Sequence, residues 1–397
     1  MKTVILMARL GNPTTFIQRR ISAAATFGID LMVEIEGKKP QWMEDQKIKT
    51  VNNFQEKAFR SFLFFWLGLL LKPTISIQYF RFFRNKGQRN FWGCIIKTGA
   101  LVPLFFIKKV DIIHVQWTYS APIYRILADY YKAILVTSVR GSQVTISPVI
   151  SENANWYLQE SILSADYFHC VSESMKDAIM AHGAKQPCFV NYNGIQLHKF
   201  SSIPFSAKSE KLTIISVGLM IWRKNFIMAL QVAYELKKRN VNFEWNFYGK
   251  GVERNALFYL TTKMNLQDHV HINPAISEQE LIPKFQHAHA FVSTSAGEGL
   301  ANVVVEAMAC GAVPIVWDCE GMTEAIEDQN SGYIIPFGDV SLMADAIQML
   351  DTNRTKCQEI STNAVHRIKN HFDESVHSKK MMEWYQGILE DKQRTKA

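Results

Sequence analysis

The stretch Ser293-Thr-Ser-Ala-Gly-Glu-Gly-Leu-Ala-Asn-Val-Val-Val-Glu-Ala-Met-Ala-Cys-Gly311 follows an apolar run and is expected to become helical near Leu300. A glycine-flanked turn entering a helix presents backbone N–H groups and the positive end of the helix dipole, which suits a pyrophosphate. Glu298 falls on the turn and Glu306 in the helix. Eight residues of helix rise by ~12 Å, about the span from a ribose to a sugar across a pyrophosphate. Either glutamate alone reads equally well as a paired core carboxylate or a loop acid. Bracketing one glycine turn, the two together favour a binding site.

Working upstream, Ile215-Ser-Val-Gly-Leu-Met-Ile-Trp-Arg-Lys-Asn225 ends a strand at Gly218 and delivers Arg223 and Lys224 just before an amphipathic helix carrying Phe226, Ala229, Leu230, Ala233 and Leu236. Adjacent cations at the mouth of a parallel sheet face the place where such sheets bind ligands, and they suit a phosphate. For an Arg-Lys pair in isolation, a solvated turn is the better reading.

The same alternation of short β-like and helical runs extends over the whole chain. Strands are expected at 4–8, 112–115, 134–137 and 168–171, then at 212–217, 243–248, 291–293 and 313–316. This pattern implies parallel sheets covered on both faces. Residues 201–210 are polar, proline-bearing and aperiodic, as a linker is. The division expected is 1–203 and 204–372, two Rossmann-like domains, and 373–397, a helix docking back toward the first domain. Met381, Met382, Trp384, Tyr385 and Ile388 give that last helix its apolar spacing.

Composition narrows the class. Of 397 residues, 48% are apolar and 12% aromatic, so a disordered or low-complexity chain is excluded. Six scattered cysteines without a CxxC pair argue against a zinc module or a disulfide scaffold and suggest a reducing compartment. The run before Arg9 reads as a first strand and not as a secretory signal. The longest apolar stretch, 62–71, is about half of the ~20 residues needed to span a bilayer. The formal charge of +8 is concentrated: residues 57–110 hold ten basic residues and no acid, interleaved with aromatics. The bland reading of that segment is core plus solvated face; the sharper one is a patch for an anionic membrane surface.

With those residues in view, the second half resembles the retaining GT-B glycosyltransferases of family 4, which transfer sugars from nucleotide-sugars to lipids, oligosaccharides and polysaccharides. Glu298-Gly299, Glu306-Ala-Met-Ala and Gly311-x-x-Pro314 are similar to the family's paired-glutamate hallmark. Phe247-Tyr-Gly-Lys-Gly-Val-Glu253 is similar to its G-x-G-x-E turn, and Gly332-Tyr-Ile-Ile-Pro-Phe-Gly-Asp339 to its G-hydrophobic-P-x-x-D segment. The likeness is firm after Asn193 and thin before it. It implies a GT-B α/β fold, two Rossmann-like doubly wound domains facing across a cleft, with 1–203 binding the acceptor and 204–372 the nucleotide-sugar donor.

It also implies roles. Lys224 would contact the donor phosphates, Glu306 the ribose, and Glu298 with the backbone of Gly299, Leu300 and Ala301 the sugar and diphosphate; Gly218, Arg223 and Gly249 join the donor-binding set. Catalytic candidates are Lys224, Glu298, His114 and Arg140. Two positions depart from the family pattern. Leu219 stands where many members have a donor-phosphate arginine, which leaves open whether Arg223 substitutes. Arg140 stands where many members have a histidine. His114, at a strand end, is the other cleft histidine, and a structural histidine there is about as good a reading. His269, His271, His287 and His289 alternate but suggest no third metal ligand, so they are read as structural.

The expected activity is transfer of a hexose from a nucleotide-sugar donor to a lipid-linked or polysaccharide acceptor, with retention, in capsule, exopolysaccharide or lipopolysaccharide assembly. No cofactor and no obligatory metal are expected, because no Asp-x-Asp motif stands on the loops. The expected location is cytoplasmic, peripheral on the inner face of the membrane, and no nucleic-acid partner is expected. The alternatives are a nucleotide-sugar epimerase and a non-catalytic nucleotide- or polyanion-binding protein.

Overall fold

The computed structural model describes residues 4–10, 15–27, 29–36, 38–53, 58–85 and 90–394. Its contacts divide the chain into two units. The first comprises Met1–Val171, Met175–Asn191 and Ser378–Ala397; the second comprises Ser172–Ser174 and Tyr192–His377.

The first unit is built on seven strands: β1 (Val4–Leu10), β2 (Asp30–Glu36), β3 (Lys49–Asn53), β4 (Ile112–Val115), β5 (Ile134–Val139), β6 (Tyr167–Cys170) and β7 (Cys188–Val190). They pair in parallel in the order β3-β2-β1-β4-β5-β6-β7. Successive residues of a central strand serve opposite faces. Ile112, Ile134 and Val136 pack with Met7, Ile21 and Val33, whereas Ile113, Val115 and Leu135 pack with Tyr124 and Leu127. Every residue of β5 is buried, as a strand covered by helices on both sides must be. The helix Glu374–Arg394 helps to close one face: Met381, Met382, Tyr385 and Ile388 lie in the cluster of Met7 and Val33, and Trp384 stacks on Phe189 with ring centroids 4.6 Å apart.

The second unit repeats the plan with β8 (Leu212–Val217), β9 (Phe243–Tyr248), β10 (Val270–Asn273), β11 (Ala290–Ser293), β12 (Val313–Trp317) and β13 (Tyr333–Ile335). Their order is β10-β9-β8-β11-β12-β13, again all parallel. In both sheets the order reverses once, between β1 and β4 and between β8 and β11. Doubly wound sheets bind ligands beyond the strand ends at that reversal.

Where the sequence suggested a break at 203/204, the contacts change units between Asn191 and Tyr192. Ile195 forms a parallel bridge with Asp373, its N–H donating to Phe372 O at 2.8 Å and its carbonyl accepting from Glu374 N at 3.1 Å. The stretch read as a linker is anchored in the second unit: Phe205 packs on its core and Lys208 Nζ donates to Gly311 O at 2.9 Å. Polarity made 201–210 look detached, but Lys208 Nζ is held by the backbone carbonyls of Ala288 and Gly311.

The described residues of 58–110 include three helices, Ala58–Leu71, Pro73–Asn85 and Phe91–Leu101, and a 3-10 turn. Of the basic residues counted there, Lys57, Lys86 and Arg89 lie outside the described residues. No described helix is long and apolar enough to cross a membrane.

Candidate active site

The second unit brings two loops together at its strand-order reversal. After β8, Gly218 donates its N–H to Tyr248 O at 3.1 Å, and the chain makes a 3-10 turn over Trp222–Lys224 before Asn225, at φ 52°, starts the helix Phe226–Lys238. The aliphatic stem of Lys224 lies over Gly218, where a Cβ would sit 3.4 Å from both Cδ and Cε. Gly249 and Gly251 follow β9 and let their loop close on the first one. A Cβ on Gly249 would lie 1.9 Å from Gly218 O, and one on Gly251 would lie 2.2 Å from Met220 O. Gly249, expected to bind donor, thus has a packing requirement of its own.

The loop after β11 locks onto the loop after β8. Thr294 Oγ1 donates to Asn225 O at 2.9 Å, Ala296 N to Arg223 O at 2.8 Å, and Arg223 Nη1 to Gly297 O at 3.3 Å. Lys224 Nζ donates to Glu298 Oε1, while Arg223 Nη1 stands 3.8 Å from Glu298 Oε2. Glu298 is 8% exposed. A third loop, after β12, supports the turn: Glu298 N donates to Glu320 O at 3.2 Å, and Gly321, at φ +72°, leaves room for Gly299 O. Ser172 Oγ, assigned to the second unit, also donates to Gly299 O at 2.6 Å.

The helix begins at Asn302, two residues after the expected start, so Leu300 and Ala301 lie in the turn with their side chains buried. They can offer a ligand only backbone. Glu306 sits half-buried on this helix. Leu219 is half-exposed and supplies no charge where an arginine was missing. Two cations held by one carboxylate, beside a helix start, leave a local positive excess suited to a diphosphate.

His114 and Arg140 belong to the first unit. His114, on β4, is fully buried, with Nδ1 bonded to Tyr385 OH and Nε2 to Ser138 Oγ at 2.8 Å. Ser138 Oγ continues to His169 Nδ1 at 2.9 Å, and His169 Nε2 meets Asn191 O at 3.2 Å. Burial, and then the charges of Arg20 and Arg140, hold the His114 imidazole well below its usual range. Burial also leads for His169, with Arg20 next. Arg140 Nε donates to Gln116 O at 3.0 Å and Nη2 to Gln116 Oε1 at 2.8 Å. The arginine in the histidine's expected place therefore braces the chain after β4. Ser138, His169 and Gln116 escaped notice in the sequence. Their one signal was position, at or just beyond the ends of neighbouring strands.

The alternating histidines are engaged singly. His269 stacks on Phe243 and its Nδ1 meets Phe243 O at 3.2 Å; His287 Nδ1 meets Pro283 O at 2.8 Å; His289 Nδ1 accepts from Thr213 N at 3.1 Å. His271 Nε2 stands 4.0 Å from Glu244. Among the described residues, no group of three His, Cys, Asp or Glu could hold a metal ion.

Comparison with known proteins identifies this second unit. Residues 200–367 match the model of the family described as Glycosyl transferases group 1. That match lies within the second unit and spans less than half of the chain. The chain is similar to the putative colanic acid biosynthesis glycosyltransferase WcaL of Escherichia coli K12, 25% identical over 209 residues, 50% of this chain and 51% of that one. GDP-mannose:cellobiosyl-diphosphopolyprenol alpha-mannosyltransferase of Xanthomonas campestris is 26% identical over 160 residues, 40% of this chain and 42% of its own. The chain spans about half the length of the curated relatives it matches. Among solved structures, Anabaena Alr3699/HepE in complex with UDP superposes with a TM-score of 0.74 at 16% identity, covering 98% of this chain and 100% of that one. At that identity the likeness is one of fold. The two doubly wound parallel sheets are those of GT-B proteins.

Proposed function

We propose that the protein is a retaining glycosyltransferase that moves a hexose from a nucleotide-sugar to a hydroxyl of a lipid-linked or polysaccharide acceptor, in capsule, exopolysaccharide or lipopolysaccharide assembly. The observation that carries the reading is the convergence of Arg223 and Lys224 on Glu298 at the strand-order reversal of the group 1 domain. The donor diphosphate draws Lys224 and Arg223 from the carboxylate, which turns to the sugar hydroxyls. The backbone of Gly299, Leu300 and Ala301 and the helix dipole take the rest of the phosphate charge, and Glu306 holds the ribose.

As the bond between the sugar carbon and the diphosphate oxygen breaks, negative charge grows on the leaving phosphate, and Lys224 is placed to stabilise it. The acceptor hydroxyl attacks the same face and its proton passes to the departing phosphate oxygen. A protein base is then unnecessary, in keeping with a buried His114 bonded at both nitrogens. The cations replace a divalent ion, so no metal is obligatory. The first unit binds the acceptor, and the enzyme works at the cytoplasmic face of the membrane. UDP in the HepE structure and GDP-mannose in the Xanthomonas relative's name make these nucleotides the first to test.

The test is an assay with UDP-, GDP- and dTDP-sugars on polyprenyl-diphosphate-linked oligosaccharide, with the product's anomeric configuration read by NMR. A product keeping the donor's configuration, formed equally in EDTA, is expected. Inversion, or activity lost to chelation and restored by manganese, would overturn the mechanism. Conversion of the nucleotide-sugar alone would favour the epimerase reading, and nucleotide binding without turnover the non-catalytic one.

A further inference from the structure

The helix Ala58–Leu71 is apolar on the side it does not bury. Its inner side is narrow: Ser61, Phe65 and Gly68 face the first unit's interior. A Cβ on Gly99, in the helix Phe91–Leu101, would lie 1.8 Å from Ser61 O, so the two backbones cross almost in contact. That crossing fixes the helix and its outer side. There Phe59, Leu63, Trp66, Leu67 and Leu70 repeat at helical spacing and are 39% to 78% exposed. A surface helix in water carries polar residues on such a face. Phe91 and Trp92, each more than half exposed, extend the surface through Phe62, whose ring centroid is 5.9 Å from that of Trp92.

The surroundings are predominantly basic. Residues 58–110 contain no acid, and Arg60, Arg81 and Arg84 are exposed. At the end of the helix, Lys72 lines a cavity of about 730 Å³ together with Lys108, Lys109, Lys132 and Lys392; Asp111, paired with Lys109 at 3.0 Å, is the one acid lining it. An aromatic and leucine stripe edged by arginine and lysine fits an interface that is apolar below and anionic above. A second copy of the chain fits less well, because apposing the two stripes brings basic flank against basic flank.

We propose that the outer side of Ala58–Leu71, with Phe91 and Trp92, lies in the surface of an anionic lipid bilayer, the stripe at the acyl boundary and the flanking cations among the headgroups. This adds to the glycosyltransferase reading the surface that would hold the enzyme on its membrane. Sugar transfer plays no part in the test, so its failure would leave the donor-site reading standing.

The experiment is co-sedimentation of the full chain with phosphatidylcholine vesicles, with and without phosphatidylglycerol. Binding is expected with phosphatidylglycerol, weaker by about tenfold or more without it, and weakened by salt. Leu63→Ser combined with Trp66→Ser should abolish it. Arg81→Glu combined with Arg84→Glu should weaken it by at least about tenfold, since each removed cation is worth about fivefold. All four side chains lie outside the core, so wild-type melting temperatures in both variants would show that the fold survives. Absence of binding to anionic vesicles at low salt would overturn the proposal. So would binding that neither variant changes, or a dimer dispersed by Trp66→Ser in a chain that ignores vesicles.

Discussion

Lys224 donates its ammonium to Glu298 across the gap between the loop after β8 and the loop after β11, with side chains only 16% and 10% exposed. The pair occupies the point where the sheet's strand order reverses, and Arg223 approaches the same carboxylate. A carboxylate so placed holds the cations in position while no phosphate is present, and a diphosphate must compete with it.

Under the proposed roles, removing Lys224 and removing the Glu306 carboxylate have different kinetic consequences. Lys224→Ala removes a charge that holds the donor diphosphate and acts on negative charge growing in the transition state, so it should raise the donor KM and also lower kcat by about 100-fold or more. Glu306→Gln weakens a contact made equally before and during reaction and should chiefly raise the donor KM. Steady-state kinetics on both variants check the split, and wild-type values in both would remove these residues from the site.

Competition by Glu298 makes its own prediction. Glu298→Gln keeps the shape but releases Lys224, so a nucleoside diphosphate without sugar should bind several-fold more tightly while transfer falls. Isothermal titration with UDP and GDP reads the first effect, and the transfer assay the second. Weaker nucleotide binding in this variant would mean that the carboxylate assists the phosphates.

The glycines between the loops should tolerate no side chain. Gly249→Ala and Gly251→Ala each drive a Cβ into a carbonyl oxygen and should lower the melting temperature of the second unit markedly. Gly387→Ala, in the helix Glu374–Arg394 with open space at Cβ, should stabilise by about 1 kcal/mol. Thermal denaturation of the three variants separates close approach from helix propensity.

Stability should fall on mild acidification. His289 is pushed down to about 3 by burial first and then by Arg354 and Lys208, and His114 and His169 are held well below their usual range. Below about pH 6.5 the unfolded chain takes up protons that these folded imidazoles refuse, so their contribution is complete above that value and is lost toward pH 3. The melting temperature should drop between about pH 7.5 and pH 5, and His289→Asn, which keeps an acceptor for Thr213 N, should flatten part of that drop. A curve unchanged by the substitution would show that His289 titrates normally.

Much of this was legible where one residue type dominates a short period. The inner strands at 112–115 and 212–217 stand out because they are mostly apolar, and 243–248 because Phe243, Trp245 and Phe247 alternate with polar residues. Two edge strands were hidden because they lack such runs: Lys49–Asn53 contains a single aliphatic residue, and Val270–Asn273 alternates with His271. The Arg-Lys pair and the two glutamates could be placed because each follows a strand end directly. The partners of His114 could not, since Tyr385 lies 271 residues away. An amphipathic stripe such as Met381 to Ile388 declares that it will be buried and leaves the burying surface unnamed. The basic aromatic segment showed its charge in the sequence, but only the close crossing at Ser61 and Gly99 decides which aromatics remain outside.

The central claim, that Arg223, Lys224 and the turn at Glu298 form a nucleotide-sugar diphosphate site, is tested most directly by thermal denaturation of the wild-type chain and Lys224→Ala with UDP-, GDP- and dTDP-sugars. One donor should stabilise the wild-type protein, by about 2.7 kcal/mol at 100 times its dissociation constant, and the shift should largely vanish in Lys224→Ala. A full shift in the variant, or none in the wild-type chain with any of the three, would contradict it.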